Sequence, residues 1–389
     1  MRQGNDVTVD ELTFLASPAG RRLLETIAEM PGDSLSKQAK LRREHPAELV
    51  RAALTLQDLR VRAQSKFENA DRMFFDREGL EQASGDVIAE HRAKRYAPFG
   101  HVADLCCGIG GDSTALAQVA QLTSVDIRPE RVAMARANVW ACGAGAQFVC
   151  ADVRRWCPGA DAVFIDPSRR EGGRRVTRLN RYAPPVDDLS WLTSTRTVGI
   201  KVAPGIDHDE LPETCEAEFI SVSGECKEAV LWFGDLRSSA GVRATLLPEG
   251  DFLIGESVEP VPCGPVSDYM YEPDRAVIRA HLVEQVAVSI GAHKLAPDVA
   301  YLTSDSYVKS LFARAYGVDA VLPFSIKRVQ TYLSDHGVGR LEIKKRRFPM
   351  TPDAVRGKLN LKGSEACTLI LTRVNENPTA IFCHPVPAA

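Results

Sequence analysis

Four apolar runs between residues 102 and 165 each end beside an aspartate. They cover residues 102–105, 122–125, 147–150 and 162–165, and the aspartates are Asp104, Asp126, Asp152 and Asp166. Helical stretches such as residues 113–119 and 131–141 separate them, an alternation typical of a parallel sheet covered by helices. Because parallel strands end at one edge of their sheet, the pattern predicts an α/β fold with an acidic, ligand-binding edge.

The first run leads into a glycine-rich turn, Asp-Leu-Cys-Cys-Gly-Ile-Gly-Gly-Asp at residues 104–112. Glycines have no Cβ, so a nucleotide-like ligand can lie against the backbone beside the N-terminus of the next helix. The spacing differs from the Gly-x-Gly-x-x-Gly of dinucleotide folds, which argues against NAD. The alternative is a structural α/β layer that binds no ligand.

The aspartates that follow suggest how the rest of such a ligand is held. A carboxylate at Asp126 can accept hydrogen bonds from both ribose hydroxyls, and Asp152 stands where an adenine amine can be recognised. The predicted cofactor-binding residues are Asp104, Cys106, Gly108, Gly110, Asp126, Ile127, Asp152 and Val153.

Together these motifs resemble the class I methyltransferases, and the resemblance implies S-adenosylmethionine as cofactor and a Rossmann-like sheet. Most members have glycine where this chain has Cys106. The pair Cys106 and Cys107 invites a redox or nucleophile interpretation, but adjacent cysteines in a tight turn are more often small apolar filler.

Residues 75–84 and the helix predicted at 86–96 resemble the segment before the core of trimethylguanosine synthases, which methylate a guanine amine on RNA. The similarity covers residues 74–167. It implies a segment that closes over the cofactor, with Gln82 or Ser84 offering polar contacts, although Ser84 can also be only a helix cap.

The fourth run leads into Asp166, Pro167, Ser168 and Arg169, which we predict to be the catalytic residues. The corresponding loop of amino methyltransferases reads Asp or Asn, Pro, Pro and an aromatic residue, so here Ser168 and Arg169 depart from the pattern. A guanidinium plane can stack on a base or bind a phosphate. Arg170, Arg174 and Arg175 follow, and we predict that this loop grips substrate phosphates, the alternative being an exposed basic loop.

The chain is predicted to have three parts: an N-terminal helical domain at 1–98, a methyltransferase domain at 99–242 and a C-terminal α+β region at 243–389. Two apolar runs within 219–233 suit the antiparallel strands that close the central sheet, and residues 243–256 resemble a hairpin. In the last part, helices at 325–336 and 352–359 alternate with strands at 341–345, 366–372 and 379–384, which favours a ferredoxin-like unit from about residue 320.

Basic residues concentrate in this last part, and we predict that Lys344, Lys345, Arg346 and Arg347 contact nucleic acid. Residues 339–347, 359–363 and 369–373 resemble the bacterial THUMP-like C-terminal domain. True THUMP domains bind tRNA, so the resemblance implies an RNA partner by analogy.

Composition limits the remaining possibilities. The 389 residues are 44% hydrophobic and 25% charged. The net charge of −3 gives no indication that the chain as a whole binds nucleic acid. No membrane span and no signal peptide is apparent, so we expect a cytoplasmic protein. Ten scattered cysteines without a Cys-x-x-Cys pair argue against disulfides and against a metal site, and we expect none at residues 207–210. Oligomeric state stays open.

These observations favour a methyltransferase acting on a base, at an exocyclic amine, in structured RNA. One alternative keeps the fold and changes the substrate to a protein side chain or a small molecule, because Ser168 and Arg169 break the loop motif. The other is a non-catalytic RNA-binding protein whose cofactor turn is altered at Cys106.

Overall fold

The computed structural model describes residues 7–156, 158–171, 174–175, 178–193, 196–374 and 376–386; the side chains of residues 170, 171, 174, 175 and 191 lie outside this description. The chain forms two units, one of residues 1–217 and 228–241 and one of residues 218–227 and 242–389. The division into three domains at residues 98 and 242 stays a prediction.

Some helices of the first unit begin at a side-chain cap, and the second helix is an example. Ser17 accepts a hydrogen bond from the Gly20 amide and Pro18 opens the second helix, a favourable cap and first-turn pair. The helices are α1 (Val9–Ala16), α2 (Pro18–Glu29), α3 (Ser34–Leu41), α4 (Ala47–Ala63), α5 (Arg77–Gln82), α6 (Asp86–Tyr96), α7 (Gly111–Leu116), α8 (Pro129–Ala141) and α9 (Ser190–Thr193).

The strands that lie wholly or partly in this unit follow the predicted apolar runs, apart from the short pair β5 and β6 in the basic loop. They are β1 (His101–Leu105), β2 (Gln121–Asp126), β3 (Gln147–Cys150), β4 (Ala162–Ile165), β5 (Arg170–Glu171), β6 (Arg174–Arg175), β7 (Thr197–Val202), β8 (Glu216–Val222) and β9 (Glu225–Phe233). Within the unit the strand order is β9-β7-β4-β1-β2-β3. The five strands β1, β2, β3, β4 and β7 pair in parallel, and β9 pairs antiparallel with β7.

The prediction of a Rossmann-like sheet is therefore confirmed. All four residues of β4 are fully buried, as expected for a central parallel strand covered on both faces. Tyr96 packs beside Phe164 and Trp232, and its hydroxyl donates to the carbonyl of Val163 at 3.0 Å. These contacts fix α6 against the middle of the sheet.

The N-terminal helices do not have a core of their own. Their buried residues form one cluster with Phe74, Phe75 and Leu80 and with Ile109 and Met134, which belong to the glycine turn and to α8. Asn138, fully buried on α8, strengthens this junction, because it bonds both backbone groups of Phe74 and the carbonyl of Ile109 at 2.6 to 2.9 Å.

The second unit contains the predicted hairpin and a larger sheet than the sequence suggested. Its elements are β10 (Val242–Leu247), β11 (Asp251–Ile254), β12 (Tyr269–Pro273), α10 (Arg275–Arg279), α11 (Val283–Ser289), β13 (His293–Lys294), β14 (Leu302–Ser304), β15 (Ala313–Pro323), α12 (Ile326–Asp335), β16 (Val338–Lys345), α13 (Pro352–Arg356), β17 (Glu365–Val374) and β18 (Asn377–Pro385).

The sheet has the order β13-β14-β12-β15-β18-β17-β16, with β16 and β17 parallel. Alternate residues of β17 face opposite sides: Leu369 and Leu371 pack with α12 and α13, whereas Ile370 packs with residues 295–301. This confirms a C-terminal α+β region and extends the predicted small sheet to seven strands.

None of the helices in the described ranges combines the length and the apolar character needed to cross a membrane.

Candidate functional site

A pocket of about 450 Å³ lies at the carboxyl edge of the parallel strands of the first unit. The four predicted aspartates line it, and so do the segment before the sheet and a loop after β6. The lining residues fall in the segments 78–83, 104–112, 126–131, 151–154, 166–169 and 182–185. The structure therefore brings the predicted cofactor and catalytic residues to one place.

Two glycines of the turn, Gly108 and Gly110, serve different purposes. Both have positive φ, +55° at Gly108 and +82° at Gly110. A Cβ on Gly110 would lie 2.9 Å from the Cα of Ala135, so this glycine permits the turn to pack on α8. A Cβ on Gly108 would meet no atom within 4 Å, so this residue leaves space at the pocket. Gly110 itself does not line the pocket.

Cys106 lines the pocket with a φ of +58°, a conformation in which glycine is usually favoured. Burial raises the pKa of its thiol well above the usual value, and the carboxylates of Asp126 and Asp166 raise it further. Burial likewise raises the pKa of Cys107. Both thiols stay protonated at neutral pH, which supports the interpretation as small filler rather than as nucleophiles.

Asp104 has one carboxylate oxygen without a partner. Its Oδ2 accepts a hydrogen bond from the Ser113 hydroxyl at 2.5 Å, whereas Oδ1 is buried and has no hydrogen-bond partner among the described residues. Burial raises the pKa of Asp104 to about 7; the Ser113 hydrogen bond opposes this and the charge of Asp166 adds to it. An ammonium group in the pocket would supply the missing partner.

Asp126 fixes the turn, and its carboxylate oxygens can still accept hydrogen bonds from a ligand. Its Oδ2 accepts the Gly108 amide at 3.0 Å and its Oδ1 accepts the Arg128 amide at 2.9 Å. Each carboxylate oxygen can accept a further bond, so a ribose diol can be held here. Burial raises the pKa of Asp126, opposed by these amides. Beside it, Ile127 is 60% exposed and offers the pocket an apolar surface.

Asp152 lines the pocket but is held by a neighbour. Arg154 binds it through Nε at 3.0 Å and Nη2 at 2.7 Å. The hydrogen bonds from Arg154 lower the pKa of Asp152 to about 2. An adenine amine would therefore share this carboxylate with Arg154. Val153 also lines the pocket and is buried.

Asp166 stands at the end of β4, with a side chain that is 23% exposed. Its Oδ2 accepts a hydrogen bond from the Lys201 ammonium at 2.7 Å. The following loop is fixed by two backbone hydrogen bonds between Ser168 and Ala183, at 2.9 and 3.0 Å. Pro167, Ser168 and Arg169 line the pocket with Asp166.

Sequence reasoning missed an aromatic residue in this wall. Arg169 stands where an aromatic ring is expected, but Tyr182 lines the same pocket from the neighbouring loop, together with Pro184 and Pro185. The Tyr182 hydroxyl accepts the Ala203 amide at 2.9 Å, which fixes the ring. No sequence signal pointed to Tyr182, because it reaches the loop only through the tertiary fold.

Residues 78, 79 and 81–83 line one side of the pocket, and we call residues 77–85 the cover segment; its closure over a cofactor stays a prediction. Arg131 holds it through Asp76 at 2.8 Å and Glu78 at 3.1 Å. Gln82 lines the pocket, whereas Ser84 is buried behind it and Gly85, not Ser84, caps α6.

The predicted substrate-binding residues fall into two groups. The backbones of Arg170, Arg174 and Arg175 form the β5–β6 pair, and their side chains lie outside the described part of the structure. The others, at 344–347, belong to the second unit.

Acidic neighbours of the same unit pair with three of the residues at 344–347. Lys344 contacts Glu272 at 2.7 Å. Arg347 contacts Asp298 and Glu376, both at 2.8 Å. Arg346 lies 3.8 Å from Glu272, and Lys345 is exposed. A phosphate would have to exchange with these carboxylates, so RNA contact by Lys344, Arg346 and Arg347 stays a prediction.

The residues of the pocket fit S-adenosylmethionine, the cofactor implied by the sequence motifs. Asp104 has an orphaned buried oxygen for the ammonium group, Asp126 has acceptors for the ribose, and Gly108 leaves space beside the turn. Ile127 and Val153 are apolar neighbours for the adenine ring.

The state of Asp104 predicts a pH dependence of cofactor affinity. Its raised pKa, about 7, leaves the carboxyl partly protonated at neutral pH, and only the ionised form attracts an ammonium group. The affinity for S-adenosylhomocysteine should therefore rise about tenfold from pH 6 to pH 7.5 and then level off, by calorimetry. Asp104→Asn should bind weakly at both pH values; an equal pH dependence in this variant would contradict the assignment.

Three family models match the chain. A methyltransferase domain matches residues 102–166, a THUMP-like domain matches residues 313–385, and a domain of unknown function matches residues 8–63. The structure of a protein from Porphyromonas gingivalis W83, assigned as a methyltransferase, is similar with a TM-score of 0.75 at 21% identity. The alignment covers 97% of this chain and 96% of that one, which shows a shared fold.

Two curated relatives, each described as an uncharacterized S-adenosylmethionine-dependent methyltransferase, come from two strains of Mycobacterium tuberculosis. Each is 37% identical over 324 residues, 80% of this chain and 88% of the relative. The match spans most of both chains and agrees with the cofactor site described above. The chain belongs to the S-adenosylmethionine-dependent methyltransferases.

Proposed function

We propose that this methyltransferase modifies a base nitrogen, an exocyclic amine, in structured RNA. The observation that carries the proposal is the carboxylate of Asp166 at the pocket. One of its oxygens is held by Lys201, and the Asp166 side chain has no other hydrogen-bond partner among the described residues. The second oxygen can accept a hydrogen bond from an N–H group, which suits an amine as the methyl acceptor.

The transfer requires little from the protein beyond orientation. S-adenosylmethionine supplies a methyl group activated by a positively charged sulfur. Asp166 orients the amine through a hydrogen bond to one N–H and can take up the proton that the nitrogen loses. Tyr182, Pro184 and Pro185 line the same pocket, and a base bound there can pack against their side chains.

The second unit supports RNA as the substrate. Residues 325–365 contain ten Lys and Arg residues against four Asp and Glu residues. Several of these cations are exposed and lie on α13 or close to it, namely Lys345, Arg356, Lys358 and Lys362. Together with the THUMP-like match at 313–385, this excess charge favours contacts with phosphates.

A protein or small-molecule substrate is the second candidate, and one observation favours it. Arg169 lines the pocket at the position where amino methyltransferases have an aromatic ring. A guanidinium at the pocket can bind a carboxylate of a metabolite or of a protein side chain. This candidate has the same cofactor site and the same acceptor residue.

Labelled cofactor separates the two candidates. The protein is incubated with S-adenosylmethionine carrying a labelled methyl group and with cell extract treated with RNase or with protease. We expect label in the protease-treated extract and none after RNase treatment. Label that survives RNase but not protease would reject RNA in favour of protein.

RNA affinity should also fall steeply with salt. We expect a slope of about 0.7 to 0.9 log units of affinity per log unit of salt for each phosphate contacted. Replacing exposed Lys358 and Lys362 with alanine should reduce this slope by about 1.5 units, measured by filter binding with total RNA. An unchanged slope would place the RNA contacts elsewhere.

A further inference from the structure

A cluster of buried charges that the proposed chemistry has not yet used adjoins the pocket, and its member Asp112 is one of the lining residues. Arg92, Asp112, Lys201 and Glu228 have side chains that are 0 to 8% exposed. Arg92 pairs with both Asp112 and Glu228. Burying a charged group in a protein costs on the order of several kcal/mol. Apolar side chains would fill this region at a lower cost, so buried charges next to a pocket suggest a functional role.

Lys201 is the member of this cluster that contacts Asp166, which lines the pocket. Its ammonium donates to Asp166 Oδ2 at 2.7 Å, to the Ser84 hydroxyl at 3.0 Å and to the Gln82 carbonyl at 3.5 Å. An ammonium has three protons, so these three acceptors account for all of them. The side chain consequently has one defined position, between β7, the end of β4 and the cover segment.

The surrounding charges hold Lys201 in this position. Glu228 Oε2 lies 3.9 Å from the ammonium, and the Ser84 hydroxyl donates to the same oxygen at 3.3 Å. Burial alone would raise the pKa of Glu228, but the charges of Arg92 and Lys201 outweigh it, so the pKa is lowered and the carboxylate stays ionised. Lys201 therefore has a carboxylate on either side and cannot leave Asp166 without separating charges.

We propose that Lys201 is a positioning residue for the transfer step. It holds one oxygen of Asp166 so that the second oxygen is directed to the pocket, and it couples that orientation to the cover segment. The proposal rests on the proposed role of Asp166 and deepens it. Because Gln82 lines the pocket and its carbonyl contacts Lys201, a ligand that orders the cover segment also fixes Asp166.

Kinetics separate positioning from a purely structural role. With labelled cofactor and total RNA as acceptor, Lys201→Met should lower kcat about 100-fold, because misorientation of a reacting group has an effect of that size. The dissociation constant for S-adenosylhomocysteine should stay within about threefold of wild type. Lys201→Arg should restore part of kcat because it retains the charge.

Lys294→Met is the matched control. Lys294 is also largely buried and ion-paired, with Glu284 at 3.1 Å, but it belongs to the second unit and does not line the pocket. The kcat of the Lys294→Met variant should stay within about threefold of wild type. Ser84→Ala keeps Lys201 and removes one of its acceptors, so it tests the link to the cover segment if Lys201→Met does not fold; we expect a kcat about tenfold lower with unchanged cofactor affinity.

Hydrogen–deuterium exchange tests the coupling without any methyl acceptor. In the wild type, S-adenosylhomocysteine should protect both the cover segment and residues 166–169. In Lys201→Met, and more weakly in Ser84→Ala, the cover segment should still be protected and residues 166–169 should lose their protection.

The outcomes separate the two proposals. Equal protection of residues 166–169 in wild type and folded variants, or a kcat within threefold of wild type in Lys201→Met, would overturn the positioning role. If the wild type methylates no RNA, the proposed substrate fails, and the exchange experiment still decides whether Lys201 couples the cover segment to Asp166.

Discussion

Replacing Asp166 with alanine is expected to lower kcat for methyl transfer by about 1000-fold while cofactor affinity stays within about tenfold. The variant removes the acceptor for the substrate N–H and leaves the buried ammonium of Lys201 without its closest partner. It leaves Asp104 and Asp126, the predicted cofactor-binding carboxylates, in place. The measurement is single-turnover transfer of labelled methyl, with calorimetry on S-adenosylhomocysteine alongside.

Asp161→Ala is the matched control, because Asp161 lies just before β4, at the opposite end of the strand from Asp166. It is exposed and accepts the His101 amide at 2.9 Å. This variant should transfer methyl at close to the wild-type rate. If Asp166→Ala retained more than a tenth of the wild-type kcat, Asp166 would not be the acceptor residue, and only the assignment of the cofactor site would remain supported.

The second large effect is expected on cofactor binding, from Asp126→Ala. Asp126 accepts two backbone amides that shape the turn and has capacity for two ribose hydroxyls. Hydrogen bonds to a charged group contribute about 1.5 to 3 kcal/mol each, so loss of two predicts a dissociation constant for S-adenosylhomocysteine raised on the order of 100-fold to 10,000-fold.

Gln121→Ala serves as the control for Asp126, since Gln121 begins the same strand and is exposed at its other end. Calorimetry at one pH compares the three proteins, and circular dichroism verifies that they are folded. If Asp126→Ala bound the cofactor product within threefold of wild type, the ribose would have to lie elsewhere in the pocket.

The sheet and its acidic edge were predictable because they depend on local patterns. A buried parallel strand reads as an apolar run, and a turn that needs positive φ tends to show glycine, as at Gly108 and Gly110. Asp104, Asp126, Asp152 and Asp166 follow such runs, so their meeting at one edge follows from parallel pairing alone. The roles given to these residues remain predictions.

The residues behind Asp166 could not be predicted in the same way. Lys201 is a single charge within an apolar strand, Arg92 is one of several basic residues on a helix, and Glu228 follows Lys227 on the strand beside β7. They are far apart in sequence, and no spacing rule connects them. The lysine inside the run at residues 197–202 was the one available signal, because a buried lysine requires a partner.

In the second unit, too, contacts between segments distant along the chain could not be predicted from the sequence. Its strands β16, β17 and β18 correspond to the strands predicted at residues 341–345, 366–372 and 379–384, whereas β15 was not predicted. The strands β12, β13 and β14 are two to five residues long and pair with segments distant along the chain. Their pairing depends on tertiary packing, for which a short segment carries little information.

The shared core of the N-terminal helices with Phe74, Leu80 and Ile109 limits how this enzyme can be shortened. A fragment starting at the first strand would retain the aspartates yet expose the apolar underside of the glycine turn and lose the cover segment. We therefore expect the smallest fragment that folds and binds cofactor to start near the first helix, since the region matched as a domain of unknown function shares the core of the first unit.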